Sequence, residues 1–211
     1  MRITHYGHAC VLLETGSTRL LLDPGTFSSG FESLTELDAI LVTHQHFDHM
    51  DLERLPALIA ANPRARLVVD EGSAPAISDL GTTPTVVRPG ESVGIGGSTV
   101  NVVGGDHATI YGDLPGIPNV GYVVDDGAFY HPGDSLVAPE QSVDVLGLPT
   151  AAPWLKLSES VDFLHEVGPR IAVPIHEKLL ARPEVYTSWF DRLSGESTAV
   201  LALKHAEATQ L

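Results

Sequence analysis

The sequence predicts an α/β fold in which two β-sheets pack as a sandwich between flanking helices, with residues 1–211 forming one domain. Three observations carry this. A chain of 211 residues, 43% of them hydrophobic, is long enough for one sizeable core and leaves no comfortable room for a second domain. Short apolar runs bounded by turn residues alternate with stretches of helical spacing, which is the pattern of strands and helices laid down in turn. Residues that carry chemistry fall directly after the apolar runs, where strands end.

Residues 2–23 read as two or three strands, with a hairpin turn at 14–17. Asp23 closes the last of them, either as turn chemistry before Pro24 or as an acceptor that orients a metal-bound histidine. Residues 26–37 are polar and Gly-bearing, with Phe27 and Phe31 interleaved, and read as a candidate lid. A buried strand over 38–43 follows. The spacing predicts a helix over 51–61, with Leu52, Leu55, Leu58 and Ile59 on one face, a stop at 62–63, and Pro56 able to displace its start. A strand over 66–69, a short helix over 73–80 and a strand over 85–87 continue the alternation. Residues 94–99 fail the GxGxxG phosphate-loop pattern because Thr99 takes the last position and no helical run follows; they read as a hairpin turn before a strand over 98–103.

The aperiodic segment 108–118 is placed to wall a cavity. Strands over 120–124 and 128–131 flank the Asp125-Asp126-Gly127 turn, a strong hairpin signal. A strand over 143–147 leads to a loop over 149–155, where Trp154 is a candidate pocket wall. A helix over 158–167 with Ser158 as its cap, a strand over 171–173, a helix over 184–193 and a strand over 199–203 complete the chain.

The chemistry concentrates in Thr43-His44-Gln45-His46-Phe47-Asp48-His49-Met50, at the end of the 38–43 strand. Side chains alternate along a strand, so extended geometry continued to His46 points His44 and His46 to one side, where they can share an ion. Asp48 and His49 follow a change of direction and can face a second ion across the same cavity. Neutral imidazole and carboxylate both suit zinc. Accidental clustering of ten histidines, or capping of the following helix, accounts poorly for the order HxHxDH at a strand end.

This motif resembles the signature of the metallo-β-lactamase superfamily, which implies a four-layer αββα sandwich and three further ligands: a histidine, an aspartate bridging two metals, and a last histidine. His107 in Gly104-Gly105-Asp106-His107-Ala108, Asp134 in His131-Pro132-Gly133-Asp134-Ser135, and His176 in Val173-Pro174-Ile175-His176-Glu177 match them, each after an expected strand. By this resemblance one metal takes His44, His46 and His107, the other takes Asp48, His49 and His176, and Asp134 lies between. The resemblance runs from about Met1 to Ala206. Within the superfamily the opening Ile3-Thr4-His5-Tyr6-Gly7-His8-Ala9-Cys10 and the later Leu22-Asp23-Pro24 look like the small metal-dependent hydrolases typified by the L-ascorbate-6-phosphate lactonases. The Gly-His-Ala element also occurs in N-acylphosphatidylethanolamine phospholipase D, so it selects no substrate. His46 stands where flavodiiron proteins carry glutamate, which disfavours iron redox chemistry.

The resemblance implies a hydrolase with two divalent metal ions, zinc first and manganese its competitor, since no thiolate joins the donor set. Two such ions hold a bridging water acidified to a pKa near 7; Asp48 and Asp134 are the candidate catalytic carboxylates, Asp48 as proton acceptor. A lactone, ester or phosphodiester could each be cleaved, with lactone or ester ahead of a phosphodiesterase or phospholipase D type reaction. A metal-binding scaffold without activity is the reading from another class, and it predicts a missing ligand. Lys156, Lys178, Arg182 and Lys204 read as solvent-facing charges or as anchors for an anionic substrate. His8 and His205 are open between cavity-lining and structural roles; His131 reads as a hydrogen-bonding support and His165 as helix filler.

A formal net charge of −15 with no stripe of Lys and Arg argues against nucleic acid, and no membrane-facing element is visible. The expected partner is a small-molecule substrate, with a homo-oligomer open. The one cysteine, Cys10, sits in an apolar strand pattern and reads as core, which excludes disulfides within the chain. With no basic and apolar leader after Met1 and no run of about 20 apolar residues, the expected compartment is the cytoplasm.

Overall fold

A computed structural model describes residues 1–211. The first sheet is built from β1 (Arg2–His5), β2 (Val11–Thr15), β3 (Thr18–Leu22), β4 (Ala39–Val42), β5 (Arg66–Val69) and β6 (Thr85–Val86). The second takes β7 (Ser92–Ile95), β8 (Ser98–Asp106), β9 (Pro118–Val124), β10 (Phe129–His131), β11 (Val145–Pro149), β12 (Ile171–Ile175) and β13 (Ala199–Val200). A last strand, β14 (Ala208–Gln210), returns to the first sheet beside β1, giving the orders β14-β1-β2-β3-β4-β5-β6 and β13-β12-β11-β10-β9-β8-β7. The helices are α1 (Leu55–Ala61), α2 (Ala74–Ser78), α3 (Leu157–Val167) and α4 (Pro183–Leu193).

Alternation along the strands produces the layers. In β2 and β3, Val11, Leu13, Leu20 and Leu22 face the second sheet and join Val100, Tyr122, Val124 and Val173 in a core between the sheets. Leu12 and Leu21, paired across the same hairpin, point the other way, onto Leu55 and Leu58 of α1 and Ile77 of α2. On the far side Val123, Tyr130, Leu146 and Leu148 pack under Phe163 and Leu164 of α3 and Phe190 of α4. The order is therefore αββα. Each side chain fully buried in these layers contributes about 1.5–3 kcal/mol relative to exposure.

Both sheets are antiparallel at one side and parallel at the other: β3 through β6 run parallel in the first, and β10 through β13 in the second. Parallel strands release their chain at the same end, and loops there can converge. The sheets also meet at this end. The Val120 N–H donates to the Thr43 carbonyl at 3.0 Å, and the Tyr122 hydroxyl donates to the Val42 carbonyl at 2.7 Å.

Several expectations are corrected. The helix expected over 51–61 begins at Leu55, because the Asp51 carboxylate accepts the N–H groups of Glu53 and Arg54 and holds a turn there, leaving Leu52 exposed. Pro56 then sits in the first turn, where its missing N–H costs nothing. Ser158 is not the cap of α3; Lys156 flanks the helix and its N–H donates to Glu159 at 2.9 Å. Residues 26–37 do not form a free lid. Phe31 is fully buried under the Arg54 guanidinium, which also donates to the carbonyls of Ser28 and Gly25 at 2.9 Å each. The strand expected over 199–203 ends at Val200, and β14 was not expected.

Candidate metal centre

The site is assembled from loops at the C-terminal ends of strands in both sheets. The loop after β4 carries His44, His46, Asp48 and His49; His107 follows β8, Asp134 follows β10, and His176 follows β12. Their donor atoms fall into two groups, each within 4.8 Å of one another: His44, His46, His107 and Asp134 in one, and Asp48, His49, His176 and additionally His8 in the other. Asp134 spans both. Its Oδ2 is 3.1 Å from His107 Nε2, while Oδ1 is 3.0 Å from His49 Nε2 and 2.8 Å from His176 Nε2. The structure thus brings together the seven residues singled out in the sequence.

Local geometry forces this convergence. Gly133 has φ +61°, and a Cβ there would fall 2.4 Å from Asn119 Oδ1, so only glycine lets the turn before Asp134 close. Buried Asn119 clamps the same turn, accepting from the Asp134 N–H at 2.9 Å and donating to the Pro132 carbonyl at 3.0 Å. Gly25 lies against the Asp48 backbone, where a Cβ would sit 1.8 Å from the carbonyl oxygen.

Hydrogen accounting shows what the donors are arranged to hold. Each Nδ1–H of four histidines has an acceptor: His49 donates to Asp23 Oδ2 at 2.7 Å, His176 to the Ala151 carbonyl at 3.1 Å, and His107 to the Ala108 carbonyl at 2.6 Å. His44 donates to Thr43 Oγ1 at 3.0 Å, because the Thr43 hydroxyl proton is already given to Asp23 at 2.7 Å. With Nδ1 protonated, each neutral ring presents a lone pair at Nε2. These lone pairs point inward: His49 Nε2 faces His176 Nε2 at 2.7 Å, and buried Asp134 Oδ1 beside them has no hydrogen-bond partner. Facing lone pairs and an orphaned carboxylate oxygen repel unless a proton or a metal cation lies among them. Imidazole nitrogens and carboxylate oxygens without thiolate fit a divalent ion such as zinc or manganese.

The electrostatics agree. Burial pushes His44 well below the ordinary histidine value and lowers His46, so both present neutral nitrogens. Burial opposes charge on His49 too, yet the carboxylates of Asp134 and Asp23 prevail and raise its pKa well above the ordinary value in the metal-free chain. The negative field that would hold a proton there also favours a cation. Burial disfavours the Asp134 carboxylate, but His176, His49 and His107 hold its pKa well below the carboxylate range. Asp48, against burial, is brought to about 2 by His8 and the neighbouring imidazoles.

Other candidates fall outside the two groups. His131 lies beneath the site, donating from Nε2 to the Ala9 carbonyl at 2.9 Å, and His205 and His165 bond the carbonyls of Ser29 and Leu193. Lys156, Arg182 and Lys204 are exposed and paired with Glu159, Glu184 and Glu207. Lys178 lies over Gly7, beside Glu177. Asp23 turns the chain at φ +46° and, fully buried, accepts from His49 Nδ1 at 2.7 Å. Trp154, expected as a pocket wall, does not line the recess beside His46 and His107; its indole N–H instead donates to Asp134 Oδ2 at 2.9 Å.

A recess of about 110 Å³ opens beside His46 and His107, walled by the loop after β8, with Ala108, Ile110, Leu114 and Ile117 contributing apolar surface and no charged carboxylate, Lys or Arg among its lining. A larger cavity of about 700 Å³, between α4 and the 200–205 segment, contains none of the seven residues, so donor geometry rather than cavity size locates the centre.

Comparison with known proteins agrees with this architecture. The family model for the beta-lactamase superfamily domain matches residues 2–176. Protein Rv0786c of Mycobacterium tuberculosis is 47% identical over 202 residues, covering 94% of this chain and 93% of the relative. A UPF0173 metal-dependent hydrolase of Methanosphaerula palustris is 30% identical over 193 residues, covering 83% of each. Among solved structures, the metallo-beta-lactamase fold protein YhfI from Bacillus subtilis superposes with a TM-score of 0.75 at 14% identity, over 99% of this chain and 98% of that one. With the αββα layers, the strand-end loops and the matched span in agreement, the chain belongs to the beta-lactamase superfamily domain family and has the metallo-β-lactamase fold.

Proposed function

We propose that this chain is a metal-dependent hydrolase that uses two divalent cations to cleave a small metabolite at a lactone or ester bond. One observation carries the reading: inward-facing Nε2 lone pairs and a buried carboxylate without a hydrogen-bond partner converge where seven candidate ligands meet. His44, His46 and His107 would hold one ion, Asp48, His49 and His176 the other, and Asp134 both. When bound, such a pair supplies a bridging hydroxide at neutral pH and a Lewis acid for the substrate oxygen. Zinc is first among the candidates and manganese second. The M. palustris relative, named a metal-dependent hydrolase, supports the reaction class.

The chain's own groups do the rest. Trp154 holds Asp134 from the side away from His49 and His176, and Asp48 stays ionised beside the second position. The recess beside His46 and His107 would seat an uncharged arm of the substrate, which places a lactone or ester ahead of a phosphodiester. We take the partner to be such a small molecule, and the compartment to be the cytoplasm. No helix is long and apolar enough to cross a membrane.

The test is metal content of the purified protein, followed by turnover on a panel of lactones, aryl esters and bis-aryl phosphodiesters. Two ions per chain with lactone or ester cleavage is the expected result. Fewer than two ions removes the dinuclear reading; phosphodiester cleavage alone moves the protein to the other reaction class; two ions without turnover leaves a metal-binding scaffold.

A further inference from the structure

The second donor group contains a side chain for which the seven-residue set has no place. His8 is fully buried, and its Nε2 lies 3.0 Å from Asp48 Oδ2. It sits in a left-handed backbone conformation, φ +54°, directly after Gly7 at φ +93°. Such a conformation in a residue other than glycine persists only where its surroundings fix it. They do so here: the His8 N–H donates to Glu177 Oε1 at 3.1 Å, and its carbonyl accepts from the His176 N–H at 2.9 Å and from His5 Nε2 at 2.8 Å. The ring lies 3.9 Å, centre to centre, from that of His176, with Phe27 edge-on at 5.1 Å.

Two roles are open to a histidine so placed: an additional ligand, or a holder of Asp48. Proton placement separates them. His44, His49, His107 and His176 each give an Nδ1 hydrogen to an acceptor, which fixes Nε2 as the lone-pair nitrogen. His8 Nδ1 is buried with no partner, so nothing holds a proton there, and the one acceptor in reach of the ring is the Asp48 carboxylate at Nε2. A neutral ring places its single hydrogen where an acceptor waits. Asp48 needs such a partner. Its side chain keeps 15% exposure, and His8 gives it its only hydrogen bond.

We propose that His8 is a positioning residue: it donates Nε2–H to Asp48 Oδ2, steers the remaining oxygen toward the second metal position, and thereby sets the affinity of that position separately from the first. The proposal rests on the two-ion reading above. The first group contains no atom of His8, so the effect is confined to one ion.

The experiment is a cobalt(II) titration of chelator-stripped protein, followed by visible absorption and by bound metal per chain, on the wild type, His8→Phe and His8→Gln. Phenylalanine keeps a planar ring and removes the donor; glutamine returns an N–H near the Nε2 position. Expected are two equivalents in the wild type, a second equivalent weakened about 10–100-fold in His8→Phe with the first unchanged, and recovery of most of that loss in His8→Gln with the wild-type cobalt bands. Undiminished second-site affinity in His8→Phe overturns the proposal, as does a failure of His8→Gln to recover. Altered cobalt bands in His8→Gln would instead make His8 a ligand. A wild type that binds fewer than two equivalents removes the two-ion reading itself, a result distinct from any difference among the variants. Should His8→Phe not fold, His8→Leu, which also removes the donor, takes its place with the same expected and overturning results.

Discussion

Asp23→Asn isolates the support of His49 from the turn that Asp23 makes. Asparagine tolerates the left-handed conformation at φ +46° at least as well as aspartate, so the backbone turn survives the change. The acceptor set does not. The carboxylate takes three hydrogens, from the Thr43 N–H at 2.8 Å on Oδ1, and from the Thr43 hydroxyl and His49 Nδ1 at 2.7 Å each on Oδ2. Asparagine offers one oxygen and an amide group that is itself a donor. In its better orientation the oxygen serves His49 and the hydroxyl, and the Thr43 N–H meets the amide hydrogens; a buried donor left unpaired costs about 1–3 kcal/mol. The two surviving bonds lose their charge assistance and roughly half their strength. Together these give a destabilisation of about 2–4 kcal/mol in the metal-free chain and, because His49 loses its anchor, a 10–100-fold weaker ion beside it. Urea unfolding of stripped protein measures the first, and competition with a chromophoric chelator measures the second. A variant within about 0.5 kcal/mol of the wild type, with unchanged metal affinity, would refute the reasoning.

Three further outcomes are expected. Gly133→Ala forces a Cβ to within 2.4 Å of Asn119 Oδ1 at φ +61°, and should cost more than about 2 kcal/mol and lower metal content at both positions, read by unfolding and elemental analysis; full occupancy would show that the turn does not set Asp134. Trp154→Phe keeps an aromatic ring beside His107 but removes the indole hydrogen bond to Asp134, so kcat/KM on the best ester should fall about tenfold with an unchanged circular dichroism spectrum, and unaltered turnover would make the bond incidental. His131 has its pKa lowered by burial, only partly offset by Asp23, and its Nδ1 must stay unprotonated to accept the Gly133 N–H at 3.2 Å. A folded-state pKa below the unfolded value of about 6.5 means that its stabilisation is complete above that pH and is lost as pH falls beneath it. Urea midpoints of metal-free protein from about pH 8 to 5 should therefore drop less steeply in His131→Gln, and identical slopes would contradict the assignment.

What the sequence could disclose follows from the range of the forces involved. The unbroken apolar runs Val11-Leu12-Leu13 and Leu20-Leu21-Leu22 are local signals of strands, and in the structure both faces of the hairpin are buried. The seven donors were legible because each stands at a strand end in a known order. Trp154 and Asn119 were not, because their hydrogen bonds reach Asp134 across 20 and 15 positions and no pattern in the chain marks such a pairing. The late start of α1 depends on one Asp51 turn that overrides the apolar spacing of Leu52. β14 has no apolar repeat, and it becomes a strand only because β1 offers a free edge for Thr209 to pair with Ile3. The expectation of a lid failed similarly: glycines and polar residues suggested freedom, while Arg54, more than twenty positions away, ties the segment down.

The inward-pointing donors hang from loops of both sheets, His44 to His49 from one and His107, Asp134 and His176 from the other. An ion seated among them would therefore cross-brace the sandwich at the end where Thr43 and Val120 already join the sheets, in the manner of a rivet through two plates. Folding and metal supply become one equilibrium: the melting temperature should climb with the logarithm of free metal, and at a hundred times the dissociation constant each ion adds about 2.7 kcal/mol. A cell that starves this protein of metal would then lose it twice, first as a catalyst and then as a folded chain.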